Sequence, residues 1–214
     1  MRKYFLHLCL ILSTFLLIGA TTAVNQQWFS VKWISDGDTI VLNDGRHVRY
    51  IGINAPEIAH DYHKAEPFGY EAKKYNQSLV RSQKVRLEFD KEKHDRYGRL
   101  LAYIFLSDGT FINKKMTEKG YAYVLYFRPN VKYAGALLKA QRDAMSAKQG
   151  MWHNWNEKDH KIYVGSKRSK RFHLKTCSYG KRIERRNRVL FTKKWDAFWN
   201  GFAPCKQCME DLGL

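Results

Sequence analysis

Alternating apolar and polar positions predict several short strands in the first half of the chain. Between residues 28 and 53, apolar side chains recur at short intervals, and Asn43-Asp44-Gly45 supplies a tight turn between two strands. Residues 84–90 alternate strictly, which places their apolar side chains on one face. Residues 100–106 form a continuous apolar run, as expected for a buried strand.

Three segments have the character of helices and lie between or after the predicted strands. Residues 67–81 contain no helix breaker once past their first proline, residues 113–120 end on a glycine, and residues 133–146 carry apolar side chains at helical spacing. Short strands interleaved with helices predict an α+β protein built on a small closed barrel that is capped by helices.

The first residues have the form of a secretory signal. A basic head, Met1-Arg2-Lys3, precedes an apolar run over residues 4–18, and Thr21-Thr22-Ala23 offers small residues for cleavage. We expect residues 1–23 to be removed on export, which predicts a secreted or periplasmic protein. The alternative is an uncleaved membrane anchor, although the run is shorter than the roughly 20 residues that span a bilayer.

The charge of the chain indicates a polyanionic partner, and its length allows a second domain. The 214 residues contain 38 Lys plus Arg against 20 Asp plus Glu, a formal charge of +18. Such an excess favours nucleic acid or an anionic membrane as a partner. A polar stretch at residues 156–161 predicts a linker between a first domain, residues 24–155, and a smaller domain, residues 162–214.

Four charged residues at strand ends are candidates for phosphodiester chemistry: Asp38, Arg49, Glu57 and Arg99. Hydrolysis of a phosphodiester needs a positioned water, neutralisation of charge on the phosphoryl oxygens and help for the departing alkoxide. A carboxylate can orient or deprotonate the water. Bound cations or the forked guanidinium of arginine can neutralise the charge. Taken singly, Arg49 and Glu57 are more often solvated surface charges, whereas the set and its order favour a nuclease site.

Three motifs carry a resemblance to a known family. Residues 36–39 (Asp-Gly-Asp-Thr), residues 49–57 (an Arg ahead of Ile-Gly-Ile-Asn-Ala-Pro-Glu) and residues 95–99 (Asp-Arg-Tyr-Gly-Arg) resemble the staphylococcal nuclease, or thermonuclease, family. The resemblance covers about residues 28–152. It implies a five-stranded OB-type β-barrel with three helices, and calcium-dependent cleavage of DNA and RNA that leaves 3′-phosphate ends.

The resemblance also implies a calcium site. Asp38 would be a calcium ligand, and Thr39 would offer its backbone carbonyl. The second calcium-binding Asp of the family is replaced by Asn54, which still offers an oxygen ligand but carries no charge. We therefore expect weaker calcium binding and not its loss.

Four further roles follow from the same resemblance. Glu57 would act as general base or position the attacking water, and Arg49 and Arg99 would clamp the phosphate in the transition state. Tyr97 corresponds to a family tyrosine that contacts a terminal phosphate of the bound nucleotide.

A second constellation lies in the tail and consists of His173, Cys177, Cys205 and Cys208. One histidine and three cysteines in two short-spaced pairs are typical of a tetrahedral structural zinc site. Such a site explains the odd number of cysteines after the signal segment, and metal binding would stabilise a small domain with little core. The alternative is a disulfide, Cys205–Cys208 or Cys177–Cys205, with one free thiol.

Residues 162–209 resemble the N-terminal metal-binding domain of the Ada DNA-alkylation repair protein. In that domain the first ligand is a cysteine that accepts a methyl group, and His173 stands at that position here, so methyl transfer is not expected. The resemblance predicts a small α/β module that binds zinc and DNA. Its basic residues suit phosphate contacts, with a solvated surface as the alternative: Lys181, Arg182, Arg185, Arg186 and Arg188.

Together these observations predict an exported nuclease whose zinc module increases its hold on nucleic acid. Two weak sites joined by a linker would raise avidity through effective concentration. We expect a monomer that acts on DNA and RNA and has no stable membrane partner once the signal is cleaved. The alternative function is nucleic-acid binding or DNA uptake with weak or no hydrolysis, for which Asn54 is the warning sign.

Overall fold

A computed structural model describes residues 27–60, 64–155 and 161–208. The predicted signal segment and nearly all of the predicted linker lie outside these residues. Within the described ranges, no helix combines the length and the apolar character that crossing a membrane requires.

A closed five-stranded barrel forms the first part of the structure. The first six strands are β1 (Trp28–Ile34), β2 (Thr39–Leu42), β3 (His47–Tyr50), β4 (Ile53–Asn54), β5 (Lys84–Glu88) and β6 (Leu100–Leu106). All except β4 belong to the barrel, in the order β1-β2-β3-β6-β5. The β3–β6 pair is parallel, the other neighbouring pairs are antiparallel, and β1 closes the barrel on β5.

Three helices and one more strand complete this unit: α1 (Gly69–Val80), α2 (Ile112–Glu118), β7 (Tyr123–Val124) and α3 (Ala134–Ser146). The strand β7 pairs with β4 beside the barrel. Inward-facing Ile40, Val48 and Ile104 are fully buried and pack with the apolar faces of the helices. The predicted α+β fold, an OB-type barrel with three helices, is confirmed.

The first apolar segment forms more strands than its pattern predicts. A turn interrupts the extended chain between β1 and β2. There the side chain of Asp36 accepts a hydrogen bond from the backbone N–H of Asp38 at 2.9 Å and stabilises the turn. Gly37 sits in this turn, and a Cβ there would lie 2.5 Å from that of Ala55. Only glycine therefore lets the turn approach the chain after β4, which carries Asp38 to the start of β2.

The tail folds into a second, smaller unit around a four-stranded sheet. Its elements are β8 (Tyr163–Ser166), β9 (Arg171–Leu174), α4 (Ser178–Lys181), β10 (Arg188–Phe191), α5 (Lys194–Trp199) and β11 (Ala203–Pro204). The strand order is β10-β8-β9-β11, and β11 runs parallel to β9. This matches the predicted small α/β module.

The two units share a hydrophobic core that is distinct from the core of the barrel. Phe198 of α5 packs edge to face against Tyr123 and Trp152 of the first unit and against Phe172 of its own sheet, with ring centroids 5.2 to 5.4 Å apart. Gln141 of α3 donates a 2.5 Å hydrogen bond to the backbone carbonyl of Phe198. The tail is therefore held in one position against α3 and the barrel.

Because Phe198 belongs to the shared core, we expect Phe198→Ala to destabilise the whole protein and not the tail alone. A large-to-small change at a fully buried aromatic costs about 3–5 kcal/mol in the free energy of unfolding. Urea denaturation followed by tryptophan fluorescence and by circular dichroism measures it. The exposed Leu190→Ala serves as control, and an unaltered barrel transition in Phe198→Ala would contradict the shared core.

Candidate active site

A single cavity of about 450 Å³ brings together every side chain that the sequence places in the nuclease site: Asp38, Thr39, Arg49, Asn54, Glu57, Tyr97 and Arg99. These residues come from β2, β3 and β4, from the turn that precedes β2 and from the loops that follow β4 and precede β6. The structure thus joins three motifs that are separated along the chain, while the role of each residue remains a prediction.

Asp38 lies at the centre of the site and is buried. Its Oδ1 is 3.0 Å from Nε of Arg49, and its Oδ2 accepts the backbone N–H of Ala55 at 2.6 Å. Burial raises the pKa of Asp38 to about 8 despite the charge of Arg49, and the nearby carboxylates of Asp36 and Glu57 act in the same direction. The cost of burying the charge therefore outweighs the attraction of Arg49 and makes Asp38 easier to protonate than an exposed aspartate.

Arg49 is fixed by acceptors on several sides. In addition to the pair with Asp38, its Nη1 donates to the backbone carbonyls of Tyr50 at 2.6 Å and Ile53 at 2.9 Å. Its Nη2 donates to Oδ1 of Asn54 at 3.0 Å. The guanidinium therefore lies between the two side chains that the sequence assigns to calcium.

Asn54 has a fixed amide orientation. Its Nδ2 donates to the hydroxyl of Tyr123 and to the backbone carbonyl of Ala55, both at 3.0 Å, so its Oδ1 faces Arg49. Tyr123 was not predicted as a site residue, because nothing in a short apolar strand indicates that its hydroxyl supports another side chain. The backbone carbonyl of Thr39, the third predicted oxygen, already accepts the N–H groups of Ser35 at 3.0 Å and Asp36 at 3.4 Å.

A tight turn before β6 carries Arg99 and Tyr97. The carboxylate of Asp95 accepts the backbone N–H of both residues, at 2.9 Å from Tyr97 and 3.0 Å from Arg99, and binds Nε of Arg99 at 2.7 Å. Gly98 has a positive φ of 78°, which lets the turn close. Asp95 thus orients Arg99 through Nε, and Tyr97 remains 69% exposed at the rim.

Glu57 follows β4 in a loop that is braced by backbone contacts. Its N–H donates to Oε2 of Glu66 at 2.9 Å, and the N–H of Glu66 returns a bond of the same length to its carbonyl. In the part of the chain that the structure describes, the side-chain carboxylate of Glu57 has no hydrogen-bond partner. A half-buried carboxylate on a fixed backbone is suited to accept a proton from water.

The four predicted zinc ligands form one cluster in the tail, with all ligand atoms within 4.8 Å of one another: His173, Cys177, Cys205 and Cys208. His173 lies on β9, Cys177 precedes α4, Cys205 follows β11 and Cys208 ends a 3-10 helix, Lys206–Cys208. All three described cysteines are free thiols. An imidazole and three sulfurs at this separation fit a tetrahedral zinc ion.

The protonation state of His173 also suits a metal, whereas the thiols of the cluster respond to their surroundings in opposite directions. Burial, together with the charge of Arg171, lowers the pKa of His173, so the imidazole is neutral as a ligand must be. Burial raises the pKa of the Cys208 thiol to about 12, and its hydrogen bond to Cys177 adds to this. Burial also opposes ionisation of Cys177, but hydrogen bonds from Cys208 and from backbone N–H groups outweigh it and lower its pKa.

Comparison with known proteins decides the family. The family profile described as Staphylococcal nuclease homologue matches residues 47–154. The chain is 39% identical to the thermonuclease of Staphylococcus hyicus over 133 residues, which is 61% of this chain and 78% of that protein. This chain belongs to the staphylococcal nuclease family.

Two further relatives agree with this placement in the family. A thermonuclease of Staphylococcus intermedius is 36% identical over 62% of this chain and 80% of its own length, and endonuclease YncB of Bacillus subtilis is 39% identical over 55% and 57%. The predicted family and enzyme class, an endonuclease of the micrococcal nuclease type, are confirmed. The family match ends before the tail, so the resemblance of residues 162–209 to Ada stays a prediction.

Two residues in the cavity were missed by sequence reasoning. Arg171 on β9 and Lys206 after β11 come from the tail, yet both line the nuclease cavity. The sequence does not mark either as a residue of the nuclease site, because basic residues are abundant throughout this chain. Only the packing of the two units places these two near Arg49 and Glu57.

We expect Asp38 to make the metal-free protein less stable as the pH rises. An unfolded Asp has a pKa of about 3.9, whereas burial raises that of Asp38 to about 8. Between these values the folded state binds more protons, so the free energy of unfolding falls with rising pH. In EDTA, Asp38→Asn should flatten the fall in Tm between about pH 5 and about pH 8.

Thermal melting across this pH range, with Asp44→Asn alongside, tests the expectation. Asp44 is an exposed turn residue whose pKa is lowered by its hydrogen bonds to Arg46, so it is ionised throughout the range in both states. Its loss should leave the slope of Tm against pH unchanged. Parallel pH curves for wild type and Asp38→Asn would contradict the assignment.

Proposed function

We propose that the protein is an exported, calcium-dependent nuclease that hydrolyses DNA and RNA to products with 3′-phosphate ends. The observation that carries the proposal is the convergence of Glu57, Arg49 and Arg99 on one cavity around Asp38 and Asn54. A free carboxylate, two guanidinium forks and paired oxygen ligands are the groups that phosphodiester hydrolysis needs.

Calcium fits the oxygen donors of the site. The carboxylate of Asp38 and the amide oxygen of Asn54 both contact the same guanidinium, so both oxygen donors lie in the same part of the cavity. Because burial disfavours the charged form of Asp38, a bound cation would stabilise its carboxylate. When bound, calcium would supply charge to a phosphoryl oxygen and to the attacking water; the neutral Asn54 implies modest affinity.

The proposed reaction divides into roles for the chain's own residues. Glu57 takes a proton from a water molecule as its oxygen forms a bond to phosphorus. The bond between phosphorus and the 5′ oxygen breaks, and this oxygen leaves as an alcohol once it is protonated. The phosphate stays on the 3′ oxygen, in agreement with the family's products.

The two arginines stabilise the charge that builds on the phosphoryl oxygens. Arg99 is held through Nε by Asp95, which leaves its terminal nitrogens to bind an oxygen anion. Arg49 uses its terminal nitrogens on Asn54 and on backbone carbonyls, so a phosphate must compete for them. Contacts of this kind read phosphate and not base, which supports cleavage of both DNA and RNA.

The tail is proposed to hold structural zinc and to aid binding of nucleic acid. The neutral His173 and the three thiols support zinc, and zinc would lock β9 to the end of β11. The basic residues Arg182, Arg185 and Arg186 are exposed, which is compatible with phosphate contacts. We further propose a monomer whose mature N-terminus lies near Val24 after signal cleavage.

Replacing the proposed base tests the nuclease function. With calcium, the purified protein should cleave single-stranded DNA, duplex DNA and RNA, and EDTA should abolish cleavage. Glu57→Gln should lower kcat by at least about a hundredfold because proton transfer to the carboxylate is lost. Mass spectrometry of the products should find 3′-phosphate ends.

The matched control is Glu71→Gln, an exposed carboxylate in the first turn of α1. It should cleave at the wild-type rate. Binding of all three nucleic acids without cleavage, unchanged in Glu57→Gln, would make the barrel a nucleic-acid-holding module and would support a role in binding or uptake.

Zinc content tests the tail. We expect one zinc ion per chain by elemental analysis, and His173→Ala should lose the zinc and lower Tm because coordination stabilises the folded module. His153→Ala, an exposed histidine outside the cluster, is the control. A zinc-free native protein with a disulfide between two of the three cysteines would overturn the assignment.

A further inference from the structure

Two cations of the tail complete the wall of the nuclease cavity. Arg171 and Lys206 line it together with Arg49, Arg99 and Glu57, although the family match ends at residue 154. The cavity is therefore built by both units of the chain. A cavity formed by the barrel alone would lack these two side chains.

Arg171 has few partners for a half-buried cation. Its Nη1 makes a 3.3 Å hydrogen bond to the backbone carbonyl of Pro204, and among the described residues no carboxylate forms an ion pair with it. A half-buried guanidinium in this position is stabilised when an anion enters the cavity.

The backbone fixes both cations in relation to the cavity. Arg171 pairs with Ala203 in the parallel β9–β11 ladder, and the N–H of Cys205 donates to the carbonyl of Phe172 at 2.9 Å. Lys206 directly follows Cys205, so the same ladder carries both cations to the cavity. The shared core around Phe198 then holds this ladder against the barrel.

We propose that Arg171 and Lys206 form a second phosphate site, which binds the backbone phosphate next to the one that is cleaved. The proposal rests on the proposed nuclease function, because it takes a nucleic-acid strand as the occupant of the cavity. The zinc-bearing tail then acts within the active site and gives an extended strand a second anchor. An arginine fork and an exposed lysine suit a phosphate diester, which offers two anionic oxygens and solvent on one side.

The test uses single-stranded oligonucleotides that carry one neutral methylphosphonate at successive positions around a defined centre. Binding to the full chain is measured by fluorescence anisotropy in EDTA, so that no cleavage is required. For wild type, one position beside the centre should weaken binding on the order of tenfold when neutralised. For Arg171→Gln, the fully charged oligonucleotide should bind about tenfold more weakly, and neutralising that position should add little.

Salt dependence gives a second readout. Loss of one phosphate contact to a single strand should lower the slope of log Kd against log salt by about 0.7. Arg171→Gln and Lys206→Ala should each show this reduction. With calcium restored, both variants should raise KM on long strands and leave kcat unaltered.

Matched controls are Arg168→Gln and Lys193→Ala, exposed cations of the tail outside the cavity. They should keep wild-type affinity and the methylphosphonate effect. The second phosphate site would be overturned if Arg171→Gln had the native Tm and every methylphosphonate position still weakened its binding as much as it weakens that of wild type. Failure of cleavage alone would count against the proposed function and leave this binding result intact.

Discussion

The buried pair of Asp38 and Arg49 is the interaction on which the site depends. The carboxylate of Asp38 is buried in contact with the guanidinium of Arg49 and with the N–H of Ala55, which bind it. The turn at Gly37 brings it to this position. The same pair fixes Arg49 beside Asn54 and so sets the relative positions of cation ligands and phosphate clamp. Burial of Asp38 lowers the stability of the fold, and the same burial produces the electrostatic field that the chemistry uses.

Sequence patterns predicted the barrel well because its constraints are local. Strict alternation in residues 84–90 and the apolar run of 100–106 correspond to β5 and β6, and motif order placed Asp38, Arg49, Glu57 and Arg99 in one cavity. Alternation did not mark the break between β1 and β2, which depends on the local hydrogen bond from Asp38 N–H to Asp36 and on the close approach of Gly37 to Ala55. Alternation alone reports burial of side chains and not the approach of one backbone to another.

The tail shows the opposite balance. Its four metal ligands were predicted from spacing, whereas its position was not, because a polar stretch before it suggested a separate unit. The described residues instead place Phe198 among Tyr123, Trp152 and Phe172. Aromatic side chains that fill a core between two units have no periodic pattern to mark them. Arg171 and Lys206 were missed for the same reason, since their place in the cavity follows from this packing.

The parallel pairing of β11 with β9 has a consequence for how the chain matures. Among the described strands, β1 is synthesised first and β11 last, so the residues of the barrel precede the strand that leads to Lys206. A nascent or clipped chain that ends before Pro204 retains Glu57 and Arg99 but lacks the partner of Arg171. Completion of the cavity therefore requires the chain through Lys206.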